Sequence, residues 1–136
     1  MNQMYLEHAN ITVNNLKEGI HFFKTAFPNF EIRGKGESNG RKWVHLGTQE
    51  TYIAINEAVE PLKIEKNYSS SGINHLGFVV ADVDEVADRL LAAGYERDYP
   101  KQTEEFRIRD YFVDKDGNEY EFVQYLSENP LEKNKY

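Results

Sequence analysis

Two histidines and a glutamate carry the most specific chemical signal in this chain. His8 and His75 stand 67 residues apart, each near the start of an alternating apolar and polar segment, Leu6 to Val13 and Ile73 to Val80. Alternation at period two separates Ile11, Val13, Phe78 and Val80 on one face from His8, Asn10, His75 and Gly77 on the other. The same parity in Glu119 to Tyr125 sets Tyr120 and Phe122 against Glu119, Glu121 and Val123. Neutral imidazole nitrogens with a carboxylate oxygen form a donor set for a divalent first-row metal, and three ligands on one side leave positions open for water or substrate. An ion so held polarises a bound oxygen and stabilises charge that develops there. The competing role for each histidine is a hydrogen-bonded strand residue. Recurrence of the pair at equivalent places, together with an inward glutamate, favours ligation.

A second group lies on one strand face, where Arg107, Arg109 and Tyr111 alternate with Phe106, Ile108 and Phe112. Two guanidinium groups beside a tyrosine suit a carboxylate or phosphonate ligand through paired, charge-assisted hydrogen bonds. The alternative is salt bridging to Glu104, Glu105, Asp110 or Glu119, which is common among exposed pairs. Asp110 falls on the apolar face and does not fit the pattern. Tyr52 also looks inward, where it can pack on a substrate. Trp43 and His45 share a face, but the repeat and simple motif matching disagree about which one. Asp114 to Asn118 is read as a hairpin turn and not a calcium loop, since its glycine comes two residues too early.

The elements that must hold these residues repeat. At a gapless offset of 67, His8 falls on His75, Val13 on Val80, Asn15 on Asp82, Glu18 on Glu85, Phe23 on Leu90 and Ala26 on Ala93. Each half opens with a strand. A helix follows, started by Asn15 with Glu18 or Asp82 with Glu85, and carrying an apolar stripe of Leu16, Ile20, Phe23 and Phe27 or of Val83, Val86, Leu90 and Ala93. Pro28 and Gly94 close the helices. Three strands complete each half, near Phe30 to Arg33, Arg41 to Leu46 and Thr51 to Asn56, then Tyr95 to Tyr99, Phe106 to Val113 and Glu119 to Tyr125. Turns are expected at Gly34-Lys35-Gly36, Ser38-Asn39-Gly40 and Asp116-Gly117. The predicted fold is α+β: two tandem βαβββ modules, each with one sheet face covered by its helix, forming a curved mixed sheet around a central cavity. All of residues 1–136 make one domain, with module 1 about 5–57, a linker 58–71, module 2 about 72–126 and an exposed tail 127–136.

Composition bounds the function. With 136 residues, 40% hydrophobic and 13% aromatic, the chain can bury a sizeable core. A net charge of −7 argues against nucleic acid and anionic membrane partners. No cysteine is present, so disulfides, thiolate catalysis and sulfur-ligated metals are excluded together. The N-terminal stretch lacks a basic region followed by an apolar core, and a cytoplasmic location is expected.

The paired openings Leu6-Glu7-His8-Ala9-Asn10-Ile11-Thr12-Val13 and Ile73-Asn74-His75-Leu76-Gly77-Phe78, with Tyr111-Phe112-Val113-Asp114-Lys115-Asp116-Gly117-Asn118-Glu119-Tyr120-Glu121, resemble the vicinal oxygen chelate superfamily. That family includes glyoxalase I, methylmalonyl-CoA epimerase, extradiol dioxygenases, fosfomycin-resistance transferases and bleomycin-resistance proteins. The resemblance runs from about Leu6 to about Tyr125. It implies that His8, His75 and Glu121 hold a divalent ion, manganese, iron, nickel or zinc. Glu121 and Tyr111 are the candidate catalytic residues, and the inward strand faces offer Asn10, Tyr52, Arg107, Arg109 and Tyr111 as contacts for a small, anionic, oxygen-bearing substrate. A homodimer is expected by analogy. The family's fourth ligand position falls on Ala54, which cannot ligate, and Glu50 and Glu57 are the nearest carboxylates. Tyr111 matches a substrate-contacting tyrosine of the fosfomycin-resistance transferases, and Lys101-Gln102 resembles their lysine segment, but their final arginine has no counterpart here. A metal-free protein that sequesters an antibiotic-like molecule, as in the bleomycin-resistance branch, is the alternative.

Overall fold

A computed structural model of the chain describes residues 4–61 and 68–136. Residues 1–3, and residues 62–67 of the expected linker, lie outside it. The chain divides into two compact units, Met1–Ile64 and Glu65–Tyr136.

The first unit runs β1 (His8–Val13), α1 (Leu16–Ala26), β2 (Glu31–Ser38), β3 (Arg41–Gly47) and β4 (Tyr52–Glu57). Its sheet has the order β1-β4-β3-β2, with β1 parallel to β4 and the other pairs antiparallel. The second unit runs β5 (His75–Val79), α2 (Val83–Ala92), β6 (Glu96–Thr103), β7 (Arg107–Val113) and β8 (Glu119–Tyr125), in the order β5-β8-β7-β6. A short helix, α3 (Pro130–Lys133), follows. Two four-stranded mixed sheets, each with its helix, make the chain α+β as the repeat predicts. Among the described residues no helix is long and apolar enough to cross a membrane.

Both helices start as the sequence indicates, and the repeat extends to their caps. Asn15 Oδ1 accepts from the Glu18 amide, and Asp82 Oδ1 from those of Asp84 and Glu85. The first helical amide is taken by the sheet: Leu16 N–H donates to Glu57 Oε2 at 2.9 Å, and Val83 N–H to Gln124 Oε1 at 3.0 Å. Glu57 is thereby engaged at a helix start, which removes it as a stand-in for the missing fourth ligand.

The buried stripe of α1 differs from the predicted one. Gly19, Phe22, Phe23 and Ala26 are buried, while Leu16, Ile20 and Phe27 are half-exposed. Gly19 is the reason: a Cβ there would stand 3.1 Å from Val13 Cγ2, so its absence lets the helix lie close against the sheet. Val13, Val44, Leu46, Ile53 and Ile55 complete that core, and Tyr95, Phe112, Tyr120 and Phe122 do so beneath α2. Gly34-Lys35-Gly36 is no turn. It lies inside β2, next to a bulge between Ile32 and Gly34. The reversal comes at Asn39 and Gly40, both with positive φ.

The offset of 67 fails over the two strands after each helix, and the failure at β3 and β7 decides a face. His8 pairs with Tyr52 and His75 with Glu119, both at the offset of 67. However, the β3–β4 turn has four residues (48–51) and the β7–β8 turn has five (114–118). His45 therefore lies opposite Ala54 as Tyr111 lies opposite Glu121, a shift of one residue that exchanges the faces of β7 relative to the gapless alignment.

Candidate functional site

In the second unit β5 and β8 run parallel with His75 opposite Glu119 and Gly77 opposite Glu121. His75 Nε2 meets Glu121 Oε2 at 3.0 Å. A Cβ on Gly77 would stand 3.9 Å from that oxygen, in ordinary contact, so Gly77 faces the carboxylate. At the other side of the ring, Asn74 Oδ1 lies 2.8 Å and Glu119 Oε1 3.3 Å from Nδ1. With the proton on Nε2 the ring donates to Glu121; with the proton on Nδ1, toward Asn74, the Nε2 lone pair faces Glu121. A lone pair and a carboxylate oxygen at 3.0 Å repel unless something positive joins them: a second proton on the ring or a cation held in common. Glu119 sits at the wrong nitrogen to share that ion. Burial and the neighbouring Asp98 push its carboxyl up to about 7, while Tyr68 donates to it at 3.1 Å.

Tyr111 is buried, with its ring edge-on to His75 at 5.9 Å and to Tyr99 at 5.5 Å. Burial first, then the Glu121 charge, raise its hydroxyl above the usual tyrosine range. Arg109 Nη1 lies 3.4 Å from the Tyr111 hydroxyl and 4.0 Å from Glu121 Oε1. Arg107 and Arg109 share the Tyr111 face, and Glu104 holds both, accepting from Arg107 Nε and Arg109 Nη2. Asp110 faces the other way. It is fully buried and is gripped by Arg97 through Nε and Nη2, so it is a core ion pair and not a partner of Arg107 or Arg109. Lys101 pairs with Asp84 on α2.

The equivalent face of the first unit is built from rings. His8 stacks on Tyr52 at 4.7 Å, Tyr52 on His45 at 4.8 Å, and Trp43 leans on His45 at 4.9 Å. The Arg33 guanidinium lies 4.2 Å from the Tyr52 centroid. Trp43 and His45 thus join the face of His8, with Trp43 fitting where a Cβ on Gly36 would stand only 2.8 Å from its ring. Asn10 Oδ1 accepts from Asn56 Nδ2 at 2.6 Å, and His8 Nδ1 lies 2.9 Å from Glu7 Oε1. Ala54 occupies the position equivalent to Glu121 and offers no donor.

The structure brings together His75 and Glu121, and beside them Tyr111 and Arg109. His8, Asn10 and Tyr52 belong to the other unit. Among the described residues no group of three His, Asp or Glu side chains is gathered around one point. Asn74, Glu104 and Arg33 were missed in the sequence. Asn74 and Arg33 act from positions that strand parity gives no reason to select, and Glu104 was weighed only as one of four salt-bridge partners.

The model of the Glyoxalase/Bleomycin resistance protein/Dioxygenase superfamily matches residues 5–122. Among solved structures, a glyoxalase/bleomycin resistance protein/dioxygenase domain from Frankia sp. EAN1pec is 20% identical with a TM-score of 0.77, over 91% of this chain and 99% of that one. A glyoxalase family protein from Bacillus cereus is 18% identical with a TM-score of 0.75, over 93% and 97%. A variant of the fosfomycin resistance protein FosX from Listeria monocytogenes, determined with Mn(II) and 1S,2S-dihydroxypropylphosphonic acid, is 22% identical with a TM-score of 0.74, over 98% and 100%. At these identities the structural likeness speaks for the fold, and the family model, spanning most of the chain, settles membership. The chain belongs to the glyoxalase/bleomycin resistance protein/dioxygenase superfamily.

Proposed function

We infer that this chain is a metal-dependent enzyme acting on a small, anionic, oxygen-bearing substrate, with His75 and Glu121 as two protein ligands and His8, from this chain or a second copy in a cytoplasmic homodimer, as the third. The observation that carries the reading is the 3.0 Å approach of His75 Nε2 to Glu121 Oε2 with Nδ1 held by Asn74. The two atoms are close enough that one divalent ion would be held by both, in place of a proton between them. With nitrogen and oxygen donors only, manganese, iron, nickel and zinc all suit the set. When bound, the ion supplies Lewis-acid polarisation of a substrate oxygen.

The remaining residues orient and exclude water. Asn74 accepts from Nδ1 in the tautomer that frees Nε2. Tyr111, buried against His75, keeps its proton and can donate it as a hydrogen bond to a substrate oxygen. Arg109 and Arg107 present guanidinium groups for an anionic portion of the substrate, and Tyr52 and Asn10 offer a ring and an amide. Lyase, isomerase, transferase and dioxygenase chemistry are all compatible with this set. The Mn(II) and phosphonate bound in the FosX structure support the same reading.

Titration of metal-free protein with Mn(II), followed by the loss of the free-ion electron paramagnetic resonance signal, tests it. One ion per chain is expected, with His75→Ala and Glu121→Gln each weakening binding at least about tenfold and His8→Ala doing likewise. Absence of binding for Mn(II), Fe(II), Ni(II) and Zn(II), or binding indifferent to His75→Ala, overturns the proposal. A metal-free protein that binds flat aromatic molecules on the Tyr52, His45 and Trp43 rings is the second reading, favoured by that stack alone.

A further inference from the structure

We propose that Glu104 is an internal competitor for the anion seat formed by Arg107 and Arg109, and that a compact tetrahedral oxyanion of the phosphonate class takes the seat by displacing it. The inference rests on the anion-binding part of the function proposed above. Glu104 lies in the short connection between β6 and β7, and its two carboxylate oxygens are divided between the two arginines. That is the place and the pairing that a substrate carboxylate or phosphonate would adopt. Arg107 is buried, with its guanidinium 4.3 Å from the Tyr136 ring centroid on one side and Glu104 as its carboxylate partner, whereas the Glu104 side chain is about one-third exposed and has solvent to turn into. The Glu104 amide donates to the Arg107 carbonyl at 2.9 Å, which holds the backbone while the side chain moves.

Glu104 also leaves the seat unfilled. Arg109 Nε is buried without a partner among the described residues. A carboxylate has two oxygens and both are in use. A phosphonate has three, and the third can meet a donor that Glu104 leaves unused. The other end of the same guanidinium reaches toward Glu121, so an anion seated here lies next to a candidate metal ligand.

Isothermal titration of the full chain with methylphosphonate, with and without Mn(II), tests this. Glu104→Gln is expected to bind about tenfold more tightly than wild type, which is 1.4 kcal/mol, and Arg109→Gln to lose binding. Glu105→Gln is the charge control: its carboxylate is exposed and pairs with Lys135, so it should stay within about twofold of wild type. Glu104→Ala is measured beside Glu104→Gln, so that a folding failure of one leaves the other to decide. Equal affinity in wild type and both Glu104 variants overturns the assignment, as does equal tightening by Glu105→Gln, because distant charge would then suffice. Intact Mn(II) binding with no phosphonate binding in any variant overturns the Glu104 assignment while the metal reading stands. Loss of Mn(II) binding with the phosphonate pattern intact sinks the metal reading and leaves Glu104 in place.

Discussion

The Arg97–Asp110 pair should be asymmetric, and the structure gives the sign. Asp110 is fully buried and accepts from Arg97 at 2.9, 3.1 and 2.9 Å and from the Tyr111 amide at 3.1 Å, whereas the Arg97 side chain is 34% exposed. Arg97→Ala strands a carboxylate away from water with one backbone donor left, at about 3–5 kcal/mol. Asp110→Asn instead frees a guanidinium that already touches solvent, and the amide oxygen can keep one hydrogen bond, so the loss is about 1–2 kcal/mol. The double change Arg97→Met with Asp110→Leu removes both charges and keeps apolar cover over Phe112, against which Arg97 lies at 5.4 Å. It should recover most of the loss. Urea unfolding followed by circular dichroism, with slopes compared among variants, measures all three. An Arg97→Ala loss below about 1 kcal/mol, or a larger loss for Asp110→Asn, refutes the argument that burial of the acid sets the cost.

Asn74→Ala should weaken Mn(II) binding by about 10–100-fold while lowering stability by no more than about 1 kcal/mol, because the side chain positions His75 and supports little else. Mn(II) titration beside urea unfolding separates the two. Gly36→Val should move the only tryptophan, since a Cβ there would stand 2.8 Å from the Trp43 ring, and shift its fluorescence at a cost of no more than about 1 kcal/mol, because Gly36 is exposed and the half-buried ring can turn away. Asn15→Ala and Asp82→Ala should each cost about 1 kcal/mol of unfolding free energy, because the two caps are equivalent in the repeat.

Most of the fold was legible because its signals are local. Alternation fixed the faces of β1, β5 and β8, and the Asx residues at 15 and 82 fixed the helix starts. What escaped depended on one extra residue or one absent side chain. A turn of five residues in place of four shifts β7 against the repeat and thereby moves His45 and Trp43 to the face of His8. Gly34 and Gly36 signal a turn in isolation, yet both sit in a strand, where Gly36 leaves the space that the Trp43 ring fills. Asp110 was a misfit until its partner, thirteen residues earlier on β6, was in place. At the site, the pairing of His75 with Glu121 followed from parity, but the acceptors at Nδ1 and the carboxylate between Arg107 and Arg109 come from side-chain reach, which no period encodes.

The comparison of the two units carries a chemical division of labour. Positions that correspond through the strand ladders hold Tyr52, Ala54, His45 and Trp43 in one unit and Glu119, Glu121, Tyr111 and Arg109 in the other. One unit presents stacked rings on this face and the other two carboxylates, an arginine and a tyrosine, and the opening histidine is common to both. With Ala54 in place of a carboxylate, His8 has rings for neighbours and no counterpart of the Glu121 contact that His75 makes.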